Sequence, residues 1–281
     1  MKILSPKTYT GERACYNIHD FFIKDCIFED GESPLKECSD LVVQDTEFRW
    51  KYPLWYSTNV NCDHIHTLIT ARSGIWYTKN LKITNSLLEA PKFFRRCEDV
   101  TLVNVNIPNA QETFWKTKKI RLTNVKAKGD YFCFNCEDVE IDHLELDGNY
   151  AFDGVKNLKI TNSTLMSKDS FWNTENVVVE NCKIVGEYLA WNSKNITFIN
   201  CEIESNQGLC YIDKLVLRNC SLNNTDLCFE LCSNIDAEVN SYVISIKNPI
   251  SGIIKVKSVG EIILHKEMID PSKTQIIVEN E

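Results

Sequence analysis

A nine-residue phrase recurs along almost the whole chain, and its period limits the fold more than any other feature. Its clearest copies are NLKITNSLL (80–88), NLKITNSTL (157–165), NVVVENCKI (176–184) and NITFINCEI (195–203). The phrase begins at Asp20, Asp40, Asn59, Asn80, Asp99, Lys119, Asp138, Asn157, Asn176, Asn195, Lys214 and Asn234, in steps of 19 to 21 residues. Its second position is apolar in every copy, from Phe21 and Leu41 to Leu215 and Ile235, and its fourth is nearly always so. Between them the third position mixes Lys82, Thr101, Arg121 and Glu140. Alternation with period two is the mark of a strand with one buried face, and the three-and-four spacing of a helix is absent.

The sixth position is polar: Asn85, Asn104, Asn124, Asn162, Asn181, Asn200 and Asn219, with His64 and His143 in two copies. Asn tolerates the left-handed backbone of a tight corner. Stacked ~4.8 Å above its own copy, its amide can bond along the stack. Upstream of each start an apolar residue lies at minus five (Phe94, Phe114, Phe152, Phe171), a small one at minus two (Ser57, Thr78, Cys97) and another at minus nine (Gly148, Ser167, Gly186). Short strands, small corners and about 20 residues per coil give a parallel solenoid. Crossovers between parallel strands are nearly always right-handed. The expected fold is therefore all-β, a right-handed single-stranded parallel β-helix of about twelve rungs. One domain should span 1–281, with a partial first coil at 10–19, regular rungs at 20–250 and closing strands at 251–281.

Composition narrows the partners. A formal net charge of −8 disfavours nucleic acid and anionic lipid, and no apolar run is long enough to span a bilayer. MKILSPKTYTGERACYN at the N-terminus lacks the apolar region of a signal peptide, so a cytoplasmic location is expected. The thirteen cysteines recur at small inward repeat positions (Cys26, Cys182, Cys201, Cys220; Cys38, Cys97, Cys136, Cys232), where a reduced thiol acts as a compact hydrophobe. No zinc-type spacing, Ser-His-Asp order, phosphate loop or dinucleotide fingerprint occurs, so no metal or cofactor is expected.

GERA (11–14), GESPLKE (31–37), WKYPLWYS (50–57), GIWYT (74–78), AKGDYF (127–132), ELDGNYAFDG (145–154) and DPSKT (270–274) resemble a bacterial domain-of-unknown-function family of single-domain β-helices. The resemblance covers nearly the whole chain and implies the fold, with no reaction attached. The architecture is more distantly similar to pectate lyases. Of the NTD, DD, GHG and RIK motifs of polygalacturonase-like enzymes, only Asn224-Thr225-Asp226 is present.

Chemistry can sit where the pattern breaks. Four residues before each start runs a column containing Lys36, Trp55, Trp76, Arg95, Trp115, Asp153, Trp172, Trp191 and Glu230, five of the six tryptophans among them. Its charges cannot be buried unpaired, so the column faces outward. Arg96 and Lys116 follow one residue later; Tyr150, Asp169 and Tyr188 lie seven upstream, Asp130 and Glu187 eight upstream. Three readings are open: rung-to-rung aromatic stacking, a saccharide groove, or a surface for self-association or a protein partner. In the groove reading Trp55, Trp76, Trp115, Trp172, Trp191, Tyr150 and Tyr188 offer rings and hydroxyls. Arg95, Arg96 and Lys116 suit an anionic sugar. Asp130, Asp153, Asp169 and Glu187 are candidate acid–base carboxylates.

Overall fold

Successive turns pair in parallel and in register with the phrase: Leu41 lies opposite Val60, Leu81 opposite Val100, Leu158 opposite Val177 and Ile196 opposite Leu215. The computed structural model describes residues 1–279. It is an all-β parallel solenoid whose described residues include one single-turn 3-10 helix, Pro271–Lys273, and no α-helix. The chain divides into two compact units, 1–146 and 147–281. Among the described residues fifteen turns are formed, against the twelve counted from the phrase. The three additional turns lie outside its copies: Lys2–Leu4 pairs with His19–Lys24, Gly252–Ile263 with Ile235–Lys247, and Thr274–Val278 with Gly252–Ile263. None of these three carries the polar corner that made the others countable. Residues 280 and 281 of the expected closing segment lie outside the described residues.

In the first unit each turn is built from a strand such as Ser39–Phe48, Thr58–Thr67 or Lys79–Leu88, whose alternate residues are buried. The core is a stack of like residues, with Phe94 on Phe114 at 4.6 Å between ring centroids. The extra residues of the longest step, around 64–73, do not form a strand bulge. Register stays at 21 from Asp63↔Thr84 to Thr67↔Leu88, so the turn after Thr67 absorbs them.

The corners are left-handed. Asn59, Asn80, Asn85, Asn104 and Asn124 have φ between 50° and 56°. Their amides form ladders: Asn104 Nδ2 donates to Asn85 Oδ1 at 3.0 Å and Asn124 to Asn104 at 2.7 Å. At the phrase start Asn80 donates to Asn59, and Asn59 to Asp40, each at 2.9 Å. His64 leaves the ladder and pairs with Asp63 at 2.8 Å; the Asp63 carboxylate takes its place as acceptor for Asn85. In the second unit the sixth-position ladder runs without a break, Asn181 to Asn162, Asn200 to Asn181 and Asn219 to Asn200.

The small columns have a second role. Ser57 Oγ donates to the Leu35 carbonyl at 2.8 Å, Cys136 Sγ to Phe114 at 2.8 Å and Ser193 Oγ to Phe171 at 2.7 Å. Each acceptor is the minus-five carbonyl of the preceding turn, which the corner removes from the ladder and which would otherwise be orphaned. Ser, Thr and Cys share this position because each is small and can donate. All thirteen thiols are free and buried, and burial pushes Cys62 and Cys97 up to about 12, leaving them unreactive.

Candidate functional site

In the first unit the aromatic column is outward and half-buried, and its partners are internal. Trp55 and Trp76 stack at 5.1 Å and 8°, and the Arg95 guanidinium lies 4.7 Å from the Trp76 ring and 4.6 Å from that of Trp115. Glu112 holds Arg95 at 3.0 Å and Lys92 at 3.2 Å. Trp115 leans on Phe134 at 5.0 Å. The indole N–H groups point inward: Trp55 donates to the Ser73 carbonyl at 2.7 Å, Trp76 to Lys92 at 2.8 Å and Trp115 to Tyr131 at 3.2 Å. Ser73, Lys92 and Tyr131 are all left-handed corner residues of the next turn. Each tryptophan is therefore a clip that satisfies a corner carbonyl while its faces pack on the neighbouring turns. Arg96 and Lys116 are exposed. Asp130 lies half-buried in a corner, its backbone N–H donating to Gln111 Oε1 at 3.3 Å.

The second unit repeats the clip, with Trp172 bonded to the Tyr188 carbonyl at 2.7 Å and Trp191 to Gln207 at 2.8 Å. Trp172 and Trp191 stack at 5.8 Å and 9°, and Tyr188 packs edge-on to Trp191 at 5.2 Å. Asp153 accepts from Asn173 at 2.8 Å, at the head of another amide ladder that continues to Asn192. Tyr150 is exposed, and its N–H donates to the Lys168 carbonyl.

On the other side of the same corners the second unit holds an open trough of about 440 Å³, lined by Asn149, Met166, Ser167, Lys168, Val185, Gly186, Glu187, Glu204, Asn206 and Asn224. Its base follows the small minus-nine column. A Cβ on Gly186 would fall 1.9 Å from the Ser167 carbonyl oxygen, so only glycine lets the turns approach there. Met166, 45% exposed, and Val185 form an apolar ledge. Polar groups from five turns surround it. Lys168 Nζ pairs with Glu187 at 2.8 Å, which raises the lysine pKa. Asn224 donates to Glu204 at 3.3 Å, and the Asn206 carboxamide has no hydrogen-bond partner among the described residues. Asp169, beside the trough, has a raised pKa, first through burial and then through the Glu187 charge. Of the sequence-derived candidates the trough takes in Glu187 directly, with Asp169 next to it in the chain. Among the described residues no group of three or more His, Cys, Asp or Glu side chains could hold a metal ion, and no helix is long and apolar enough to cross a membrane.

The sequence matches one family model over residues 2–277, that described as "Protein of unknown function (DUF3737)". The chain belongs to that family. No curated protein matches it. Among solved structures it is similar to the Azotobacter vinelandii mannuronan C-5 epimerase AlgE6 A-module, with 12% identity, TM-score 0.37, and 92% of this chain and 89% of that one covered. PfbA, a surface adhesin of Streptococcus pneumoniae, gives 10% identity and TM-score 0.36 over 77% and 69%. The catalytic domain of GH87 alpha-1,3-glucanase gives 9% and 0.27 over 92% and 64%.

Sequence reasoning missed Met166, Val185, Glu204 and Asn206, which lie on the short strands Thr164–Met166, Lys183–Glu187 and Glu202–Asn206. The available signal was the minus-nine column itself: five small residues at steps of 19 or 20, Gly148, Ser167, Gly186, Ser205 and Thr225, mark a line where side chains cannot fill the surface. Asn224 stood in the Asn-Thr-Asp triplet. Its neighbours there have structural duties, Thr225 Oγ1 accepting from Ser205 N–H and Asp226 Oδ1 from Gln207 N–H.

Proposed function

We propose that this protein binds saccharide chains non-covalently in the trough lined by Met166, Val185, Glu204, Asn206 and Asn224. One observation carries the reading. An open depression over a glycine and serine base sets an apolar ledge against amides and carboxylates from neighbouring turns. A sugar ring has the matching composition, a C–H face for Met166 and Val185 and hydroxyls for Asn206 and Glu204. Turns spaced by ~4.8 Å offer one set of polar groups per ring-sized step. Lys168 neutralises Glu187, so the trough favours neutral sugars. The tryptophans support the reading only indirectly, by holding the corners that shape the trough.

A glycan array probed with the whole chain tests this. Neutral oligosaccharides should be retained, and the Glu204→Ala/Asn206→Ala double variant should lose at least about tenfold in affinity with an unchanged unfolding midpoint. An array blank for neutral sugars, or a double variant that binds like the parent, would sink the proposal.

A further inference from the structure

Three residues upstream of each phrase start lies a corner position whose φ is 51–58° in every turn of the first unit from Asn17 to Asn135. A left-handed backbone strains any side chain with a Cβ and least disfavours Asn. The second unit uses Gly154, Asn173 and Asn192 there, and joins the last two to Asp153 in an amide ladder. Its later residues have packing reasons: Tyr211 lies edge-on to Trp191 at 5.1 Å, and Leu231 is half-buried. The first unit departs from the amide pattern in five consecutive turns, with Glu37, Tyr56, Tyr77, Arg96 and Lys116. Burial does not explain the two cations, since Arg96 and Lys116 are exposed, whereas Tyr56 and Tyr77 lie edge-on to Trp55 and Trp76 at 6.4 Å and stack on each other. Ion pairing does not either. Lys92 and Arg95 beside them share Glu112, and Lys118 and Lys119 have Glu137 and Glu98, but Arg96 and Lys116 have no carboxylate within ion-pair distance among the described residues. Glu37, one turn before Tyr56, is already held by the Tyr16 hydroxyl and Lys36.

Strained backbone that carries exposed, unpartnered cations points to a ligand that the cations meet. We infer that the corner column Tyr56, Tyr77, Arg96 and Lys116 is a docking surface for a carboxylated saccharide chain. The rings of Tyr56 and Tyr77 lie parallel at 4.6 Å, so they present edges and hydroxyls as donors and acceptors. Arg96 forms the planar fork that grips a carboxylate, and Lys116 adds a point charge one turn on. One cation per ~4.8 Å step suits a polymer with one carboxylate per sugar. The inference stands on first-unit residues and does not depend on the trough.

The test titrates oligogalacturonate into the whole chain and into the Arg96→Asn/Lys116→Asn double variant, with a neutral oligosaccharide of equal length and a single-stranded oligonucleotide as parallel probes. Asn is the residue this corner tolerates best, so the double variant should unfold at the same temperature or higher. It should bind oligogalacturonate at least about tenfold more weakly, and the parent's affinity should fall with added salt. No binding by the parent, unchanged binding by the double variant, or equal binding of the oligonucleotide each overturns the inference. So does loss of oligogalacturonate binding on Met166→Ala, which would put the ligand in the trough; a neutral-sugar failure alone bears only on the trough.

Discussion

An asparagine at a left-handed corner tolerates the backbone and hands its amide to the next turn. Asn181 shows both at once: φ is 55°, and its side chain donates to Asn162 and accepts from Asn200. Asn181→Leu puts a branched side chain into the disfavoured region and breaks two ladder bonds. Urea unfolding should show a loss of about 1–3 kcal/mol; a neutral result would mean the exposed ladder adds nothing beyond what water supplies. The sixth-position ladder could be read in the sequence because Asn repeats there. The ladder at the phrase start could not, since Asp40, Asn59 and Asn80 alternate donors and acceptors among residues that also suit a turn. The histidines at this position read as asparagine substitutes, but His64 and His143 each bond sideways to the preceding aspartate at 2.8 Å.

At the scale of one turn, the strand was legible and the far corner was not. Period-two burial gave the strands directly. The segment from minus nine to minus three has no periodicity, because each of its residues serves a different partner. There Trp clips the next corner and a small residue opens the trough, and just beyond it the minus-two Cys, Ser or Thr caps a carbonyl. Outwardness of the Trp column followed from its charges, and each charge has a partner: Arg95 with Glu112, Glu230 with Lys247 at 2.9 Å, Asp153 with Asn173. That the indole N–H groups turn inward needed geometry. The trough corner also carries a pH signature. Asp169 has a raised pKa in the folded chain, so the fold holds its proton more tightly than the unfolded chain does. Its contribution to stability is therefore unfavourable at neutral pH and is relieved as pH falls through the raised value toward 3.8. Asp169→Asn should raise the unfolding midpoint at pH 7 by a small amount, under about 1 kcal/mol for a partly solvated group. The pH-dependent part of that gain should shrink on acidification; a gain that grows at low pH would reverse the assignment.

Across the molecule, both units are built from the same turn, and their outer corners are furnished differently. The first unit spends its irregular positions on tyrosines and cations, the second on small residues, amides and carboxylates. Repetition made the fold readable from the sequence, and departures from it located the candidate surfaces. Which departures hold neighbouring turns together is read from the contacts between turns. The proposed division of labour is that the tryptophans hold the corners and the trough binds saccharide. Its most direct measurement pairs unfolding and titration on two variants, using a neutral oligosaccharide that the array selects. Trp172→Phe keeps the ring and removes the 2.7 Å bond to Tyr188, so it should lose about 1 kcal/mol of stability and keep its affinity. Met166→Ala removes an exposed ledge, so it should stay within about 0.5 kcal/mol of the parent in stability and lose affinity. The opposite pattern, with Trp172→Phe stable and unable to bind while Met166→Ala binds normally, would contradict the account.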